Sequence, residues 1–117
     1  MDETLDTHKN YADQLATQMR KGFLVYCVLL LCKSGTLYTT DIIHRLREEH
    51  LVVVEGTIYP LLNRLQKDGM LAHEWKESVK GPPRKYYRIT DDGLKLLEEL
   101  QQTAAQLQRT ITNIEKV

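Results

Sequence analysis

A chain of 117 residues with 42% hydrophobic and 27% charged residues reads as one ordinary soluble, globular domain, with room for an appended helix. It is long enough for a real core, yet small enough for a second chain to complete that core. A formal net charge of +0 excludes simple polycation behaviour but not a local basic patch. Residues 1–16 carry −3, 17–75 carry +1, and 91–117 carry −2. Residues 76–90 carry +4, from Lys76, Lys80, Arg84, Lys85 and Arg88 against Glu77. Neutrality thus hides a compact cationic segment between acidic ends.

Cys27 and Cys32 have no metal-ligand spacing, and reduced, buried thiols in a cytoplasmic protein are expected. The polar, acidic N-terminus carries no signal sequence. The greasy run Phe23–Cys32 is about half the ~20 residues a membrane helix needs, so it reads as a core helix buried on most sides, with no membrane partner.

Residues 1–7 are expected to fray, with a first helix from His8 to about Lys33. Its sparse stripe Tyr11, Leu15, Met19 thickens into the apolar run, and Gly22 marks a bend or a close approach. Ser34-Gly35 ends it, with Gly35 left-handed. Thr39-Thr40 offers an N-cap for a second helix, Asp41 to about Glu49, with Ile42, Ile43 and Leu46 inward. Leu51-Val52-Val53-Val54 reads as an extended link.

A third helix, Glu55 to Asp68, buries Ile58, Leu61, Leu62 and Leu65. It presents Thr57, Tyr59, Asn63, Arg64 and Lys67 on its polar face. Pro60 is comfortable only in a first turn, which places the regular start near Gly56 or Thr57, or makes the first turn irregular. Gly69 stops the helix. Residues 70–75 and 84–90 read as two strands of a hairpin whose Gly81-Pro82-Pro83 tip is stiff. Thr90 caps a last helix, with Asp91 and Asp92 in its first turn. Its apolar positions Leu97, Leu100, Ala104, Leu107, Ile111 and Ile114 form a heptad seam that one small domain cannot cover.

Three helices, a basic hairpin and a long helix define the expected fold. It is mainly α with a small β-hairpin, a winged helix-turn-helix followed by a C-terminal dimerisation helix. The domain boundaries are 1–16 for the N-terminal extension and start of the first helix, 17–90 for the DNA-binding unit, and 91–117 for the dimerisation helix. In such folds the second helix of the pair enters the major groove and the hairpin reaches phosphates beside it.

The blocks Glu55-Gly56-Thr57-Ile58-Tyr59-Pro60-Leu61-Leu62-Asn63-Arg64-Leu65, Lys67-Asp68-Gly69-Met70-Leu71, Trp75 and Gly81-Pro82-Pro83-Arg84-Lys85-Tyr86-Tyr87-Arg88-Ile89-Thr90 with Gly93 carry a resemblance. The chain resembles the PadR family of bacterial transcriptional regulators over roughly residues 17–100, and its length resembles the short subfamily. The resemblance implies a homodimer built on the last helix together with the first, and a repressor binding double-stranded DNA at a palindromic operator. Two departures stand out. Thr39 and Thr40 occupy the place where the family has glycine and an aromatic residue, and residues 91–117 hold no aromatic, whereas some short relatives clamp flat drugs between tryptophans there.

The candidate DNA contacts are Thr39, Thr40, Thr57, Tyr59, Asn63, Arg64, Lys67, Lys80, Arg84 and Lys85. Arg64 has a competing role as an i,i+4 ion-pair partner of Asp68. Strand alternation sends one of Tyr86 and Tyr87 into the core, and Trp75 reads as a packing residue. His8, His44, His50 and His73 share no ligand spacing. A small-molecule effector, if one exists, is expected in the cleft between the long terminal helices of the dimer, against Tyr11, Phe23 and Tyr26. No cofactor is expected. No phosphate loop or nucleophile–base motif supports an enzyme. The alternative is a winged-helix module that binds protein instead of DNA.

Overall fold

The computed structural model of the chain describes residues 3–51 and 55–117, with side chains from Thr7 and, in the second stretch, from Gly56. The elements are α1 (Glu3–Lys33), β1 (Leu37–Tyr38), α2 (Thr39–Glu48), α3 (Glu55–Lys67), β2 (Leu71–Lys76), β3 (Arg84–Ile89) and α4 (Asp91–Glu115).

The first helix starts earlier than expected. Residues 3–21 contain neither glycine nor proline, so nothing in them breaks a helix. Gly22 marks no close approach, since a Cβ there would meet nothing within 4 Å, and α1 continues through it. One helix among the described residues, Thr7–Lys33, is long and apolar enough to cross a membrane. In the fold its Leu24, Val28, Leu29 and Cys32 line the core, which accounts for the hydropathy. The run is less covered than expected, for Phe23 and Leu30 reach the surface at 42% and 36% exposure. Gly35 takes φ 155°, more extended than the left-handed helical turn expected of it.

The second helix corrects the expected cap. Thr39 is already helical and buried, and the N-cap is Tyr38, which makes no side-chain capping bond. The reason is nonlocal: β1 pairs with β3 (Leu37 opposite Tyr87, Tyr38 opposite Tyr86) and so holds Tyr38 extended. The helix ends with His50 at φ 61°, where its N–H donates to Arg47 O at 3.0 Å and Leu51 N–H donates to Leu46 O at 2.9 Å. Paired bonds of this kind satisfy the last carbonyls of a helix. The same arrangement closes α3, where Gly69 takes φ 83° and Met70 N–H donates to Leu65 O at 2.8 Å.

Pro60 lies inside α3, not at its start. The bond it forgoes is the one to the Gly56 carbonyl, and Gly56 is exposed, so water can serve that carbonyl. Of the expected link at residues 51–54, positions 52–54 lie outside the described residues.

The hairpin is part of a three-stranded antiparallel sheet with order β1-β3-β2, not a two-stranded ribbon. Two residues of β1 are too few to show alternation in a sequence. The core gathers Ile42, Ile43 and Leu46 from α2, Ile58, Leu62 and Leu65 from α3, Leu71 and Tyr87 from the sheet, and Leu97 from α4, against α1. Helices α1 and α4 outrun this core, and the molecule extends 54 × 37 × 22 Å. Three helices on a small antiparallel sheet with a projecting hairpin make a winged helix.

At the start of α4, Thr90 Oγ1 accepts from Gly93 N–H at 3.0 Å and lies 2.6 Å from Gly69 O and 3.0 Å from Met70 O. Gly93 is buried there, and a Cβ would overlap the Met70 carbonyl and crowd Ile89 Cγ1. Gly93→Ala is therefore expected to destabilise the fold by about 1–3 kcal/mol, the usual range for overpacking. Urea denaturation followed by circular dichroism checks this, and an unchanged midpoint would contradict the packing.

Candidate nucleic-acid interface

The outward face of α3 follows from its periodicity. With Ile58, Leu62 and Leu65 buried, Thr57, Asn63, Arg64 and Lys67 are left exposed, and Tyr59 is 46% exposed. These hydroxyl, amide and cationic groups are the types that reach base edges and phosphates. Arg64 and Lys67 lie in the last turn, where cations also suit the helix dipole. Among the described residues, no ion pair joins Arg64 to Asp68; Asp68 instead donates its backbone N–H to Arg64 O at 2.8 Å. Thr40 is exposed at the head of α2, but Thr39 is 6% exposed and drops out as a contact.

The hairpin has two chemically different faces. The pairs Leu71–Ile89, His73–Tyr87 and Trp75–Lys85 share the core side, and Ala72–Arg88, Glu74–Tyr86 and Lys76–Arg84 share the other. Arg84 and Lys85, both candidate DNA contacts, therefore point to opposite faces. On the outer face the Tyr38 and Tyr86 rings lie 5.6 Å apart, with the Arg84 guanidinium 5.0 Å from the Tyr38 centroid and Lys76 Nζ 4.6 Å from that of Tyr86. Cations held over aromatic faces lose less freedom when they meet a further partner. Lys80 is exposed in the connection and borders a depression with Arg84 and Tyr86.

On the core side the apolar strip runs outward past its cover. Tyr87 is buried, half-buried Lys85 places Nζ 5.1 Å from its ring, and the same ammonium lies 6.0 Å from the Trp75 ring. Trp75 is 62% exposed and meets His73 edge-on at 6.4 Å, so the packing role expected of it does not hold. Arg88 and Lys76, absent from the candidate contacts, are also exposed on the outer face of the hairpin. Alternation along β3 puts Arg88 on the same face as Arg84, at the other end of the strand, whereas placing Lys76 opposite Arg84 required the strand register.

The expected dimer seam divides. Leu97 is fully buried in the chain's own core and cannot serve an interface, while Leu100 and Ala104 are half-buried. Leu107, Ile111 and Ile114 are exposed at 48%, 49% and 66%. Of the expected ligand walls, Tyr11 and Phe23 are exposed and Tyr26 is half-buried. Burial pushes the Cys32 thiol up to about 11 and raises that of Cys27, so both stay neutral near pH 7 and are poor nucleophiles. Among the described residues, no three His, Cys, Asp or Glu side chains gather as a metal site.

A polar helix face beside a cationic hairpin, on three packed helices, is the layout of winged-helix regulators. The Transcriptional regulator PadR-like family matches residues 28–99, and the chain belongs to that family, one of transcriptional regulators and not of enzymes. Transcriptional regulator Rv3488 of Mycobacterium tuberculosis is 39% identical over 59 residues, 50% of this chain and 54% of that protein, so the match spans about half the length of this curated relative. The crystal structure of a PadR-like transcription factor from Bacteroides fragilis is 48% identical, with 86% of this chain and 98% of that chain covered and a TM-score of 0.73. Bacillus subtilis PadR, solved in complex with operator DNA, is 27% identical, covering 67% of this chain and 46% of that chain, with a TM-score of 0.63.

The geometry around the single tryptophan gives a direct check. With Lys85 beside its exposed ring, the iodide-to-caesium quenching ratio of Trp75 should exceed that of free tryptophan amide by about twofold at matched, low ionic strength. Lys85→Ala should bring the two quenchers closer together. A ratio equal to that of free tryptophan amide would mean that the ammonium is not held there.

Proposed function

We propose that the chain is a cytoplasmic, sequence-specific DNA-binding repressor that acts as a homodimer on a palindromic operator. The observation that carries this reading is the exposed polar face of α3, with Thr57, Tyr59, Asn63, Arg64 and Lys67, beside a hairpin rich in cations. In this reading α3 enters the major groove, residues 17–90 form the DNA-binding unit, and Lys80 and Arg84 meet phosphates. Lys85 serves the core-side face of the wing. The operator complex of Bacillus subtilis PadR supports the assignment of DNA as partner.

Two exposed apolar stripes support the dimer. Leu107, Ile111 and Ile114 line α4 and Tyr11, Leu15, Met19 and Phe23 line α1, all at 42–67% exposure. Apolar rows of this length on helices that outrun the core are natural contact surfaces for a second copy. Residues 91–117 thus begin inside the domain core and continue as the dimerisation helix.

Binding to duplex DNA should weaken steeply with salt. Lys80→Ala with Arg84→Ala should lower the slope of log K against log salt by about 1.8, two contacts at ~0.9 each. The loss should be similar on operator and random DNA; a loss confined to the operator would make the pair base readers instead. Gel-shift titrations at several salt concentrations measure both.

Leu107→Asp with Ile111→Asp should yield a folded monomer, because both side chains are already exposed in the single chain. Sedimentation velocity with circular dichroism reads the outcome, and an intact dimer would place the interface elsewhere.

A further inference from the structure

Two residues from distant parts of the chain, Tyr38 and Arg84, meet on the outer face of the wing. The ladder between β1 and β3 ends at Tyr38 opposite Tyr86, so Arg84, two residues before Tyr86, has no strand partner on that side. The Tyr38 ring takes that place, with its centroid 5.0 Å from the Arg84 guanidinium. Long side chains reach such diagonal neighbours across a ladder. On its other side Arg84 lies opposite Lys76, where like charges repel. Each cation takes its own ring, Arg84 that of Tyr38 and Lys76 that of Tyr86 at 4.6 Å. Lys76 also has a carboxylate, Glu74 Oε1 at 3.6 Å, whereas no carboxylate of the described residues pairs with Arg84. Tyr38 is half-buried yet takes no part in the core, against which its neighbour Leu37 packs. Core packing therefore does not account for a ring at position 38, and its contacts with Tyr86 and Arg84 do.

We infer that Tyr38 is a positioning residue for DNA binding, whose ring holds the exposed Arg84 guanidinium in place for a phosphate. The inference rests on the DNA reading above, in which Arg84 meets phosphates. An unrestrained surface arginine loses rotamer freedom when it binds, and a ring that already restricts it removes part of that cost. A guanidinium over an aromatic face keeps N–H donors at its edge, so ring and phosphate can be engaged together. Tyr38 is also the N-cap of α2. Its ring therefore ties Arg84 to the paired helices as well as to the hairpin. The role belongs to the ring and not to the hydroxyl.

A double-mutant cycle on the full chain with random-sequence duplex DNA tests this. Tyr38→Leu should weaken binding about two- to tenfold, the ordering cost of one long side chain. Tyr38→Phe, which keeps the ring, should retain the parental affinity. In an Arg84→Ala background, Tyr38→Leu should cost nothing further. The salt dependence separates position from charge: Tyr38→Leu should leave the slope of log K against log salt unchanged, while Arg84→Ala lowers it by about 0.9. Circular dichroism confirms that each variant is folded. In the free protein, NMR should find the Arg84 Hδ resonances shifted upfield by the Tyr38 ring current, and Tyr38→Leu should return them. Unaltered or tighter binding by Tyr38→Leu overturns the inference, as does an equal loss in the Arg84→Ala background. A loss shared by Tyr38→Phe makes the hydroxyl the contact and overturns it too. A parent chain without salt-dependent binding to duplex DNA rejects the regulator reading and the phosphate role with it, and the Arg84 resonances then decide whether the ring holds the guanidinium. Parental DNA binding without coupling between Tyr38 and Arg84 rejects the inference alone, so the two failures are distinguishable.

Discussion

The fold turns on the corner where Thr90 and Gly93 seat the start of α4 on the turn at Gly69 and Met70. Thr90 N–H donates to Met70 O at 3.1 Å, and its hydroxyl reaches the same turn while capping α4. One residue thus joins the end of α3, the base of the hairpin and the head of the last helix. These partly buried hydrogen bonds lie where β2 begins and β3 ends, so they set the hairpin's root relative to α3. A glycine at 93 lets the α4 backbone approach the Met70 carbonyl. A side chain there would push the helix away and loosen the wing with it.

From that corner the sheet runs outward, and its alternation sorts the wing's chemistry. The core-side row begins with buried Leu71 and Tyr87 and ends with exposed Trp75. The opposite row carries Tyr38, Tyr86, Arg84 and Lys76 as stacked ring and cation pairs. The short strand β1 makes this possible, since it places Tyr38 opposite Tyr86. The same pairing holds Tyr38 extended and starts α2 at Thr39, so one two-residue strand both orders the outer face of the wing and sets the first of the paired helices.

Arg64 stands where three demands on this surface meet. It is in the last turn of α3, on the polar face, and on the rim of a groove shared with α1. Because no carboxylate of the described residues pairs with it, its charge is available to an incoming anion such as a phosphate of DNA.

Much of this protein was legible in its sequence because the deciding signals are local. Apolar periodicity gave α3 and its buried row Ile58, Leu62 and Leu65. Thr90 announced a cap, Gly69 a stop, and the charge count isolated the cationic hairpin. What the sequence left undecided depends on partners distant in the chain. Thr39 resembles a cap until β1 pairs with β3 and draws it into the helix. Leu97 continues a heptad seam until the core encloses it, and Trp75 looks like packing until the hairpin carries it beyond the helices. Lys21 bears no mark of its own until α1 lies across α3 and brings it to a groove that Thr57 and Arg64 also line. Periodicity records which face of an element is apolar, but which neighbour covers that face, and how far along, is settled by packing in three dimensions.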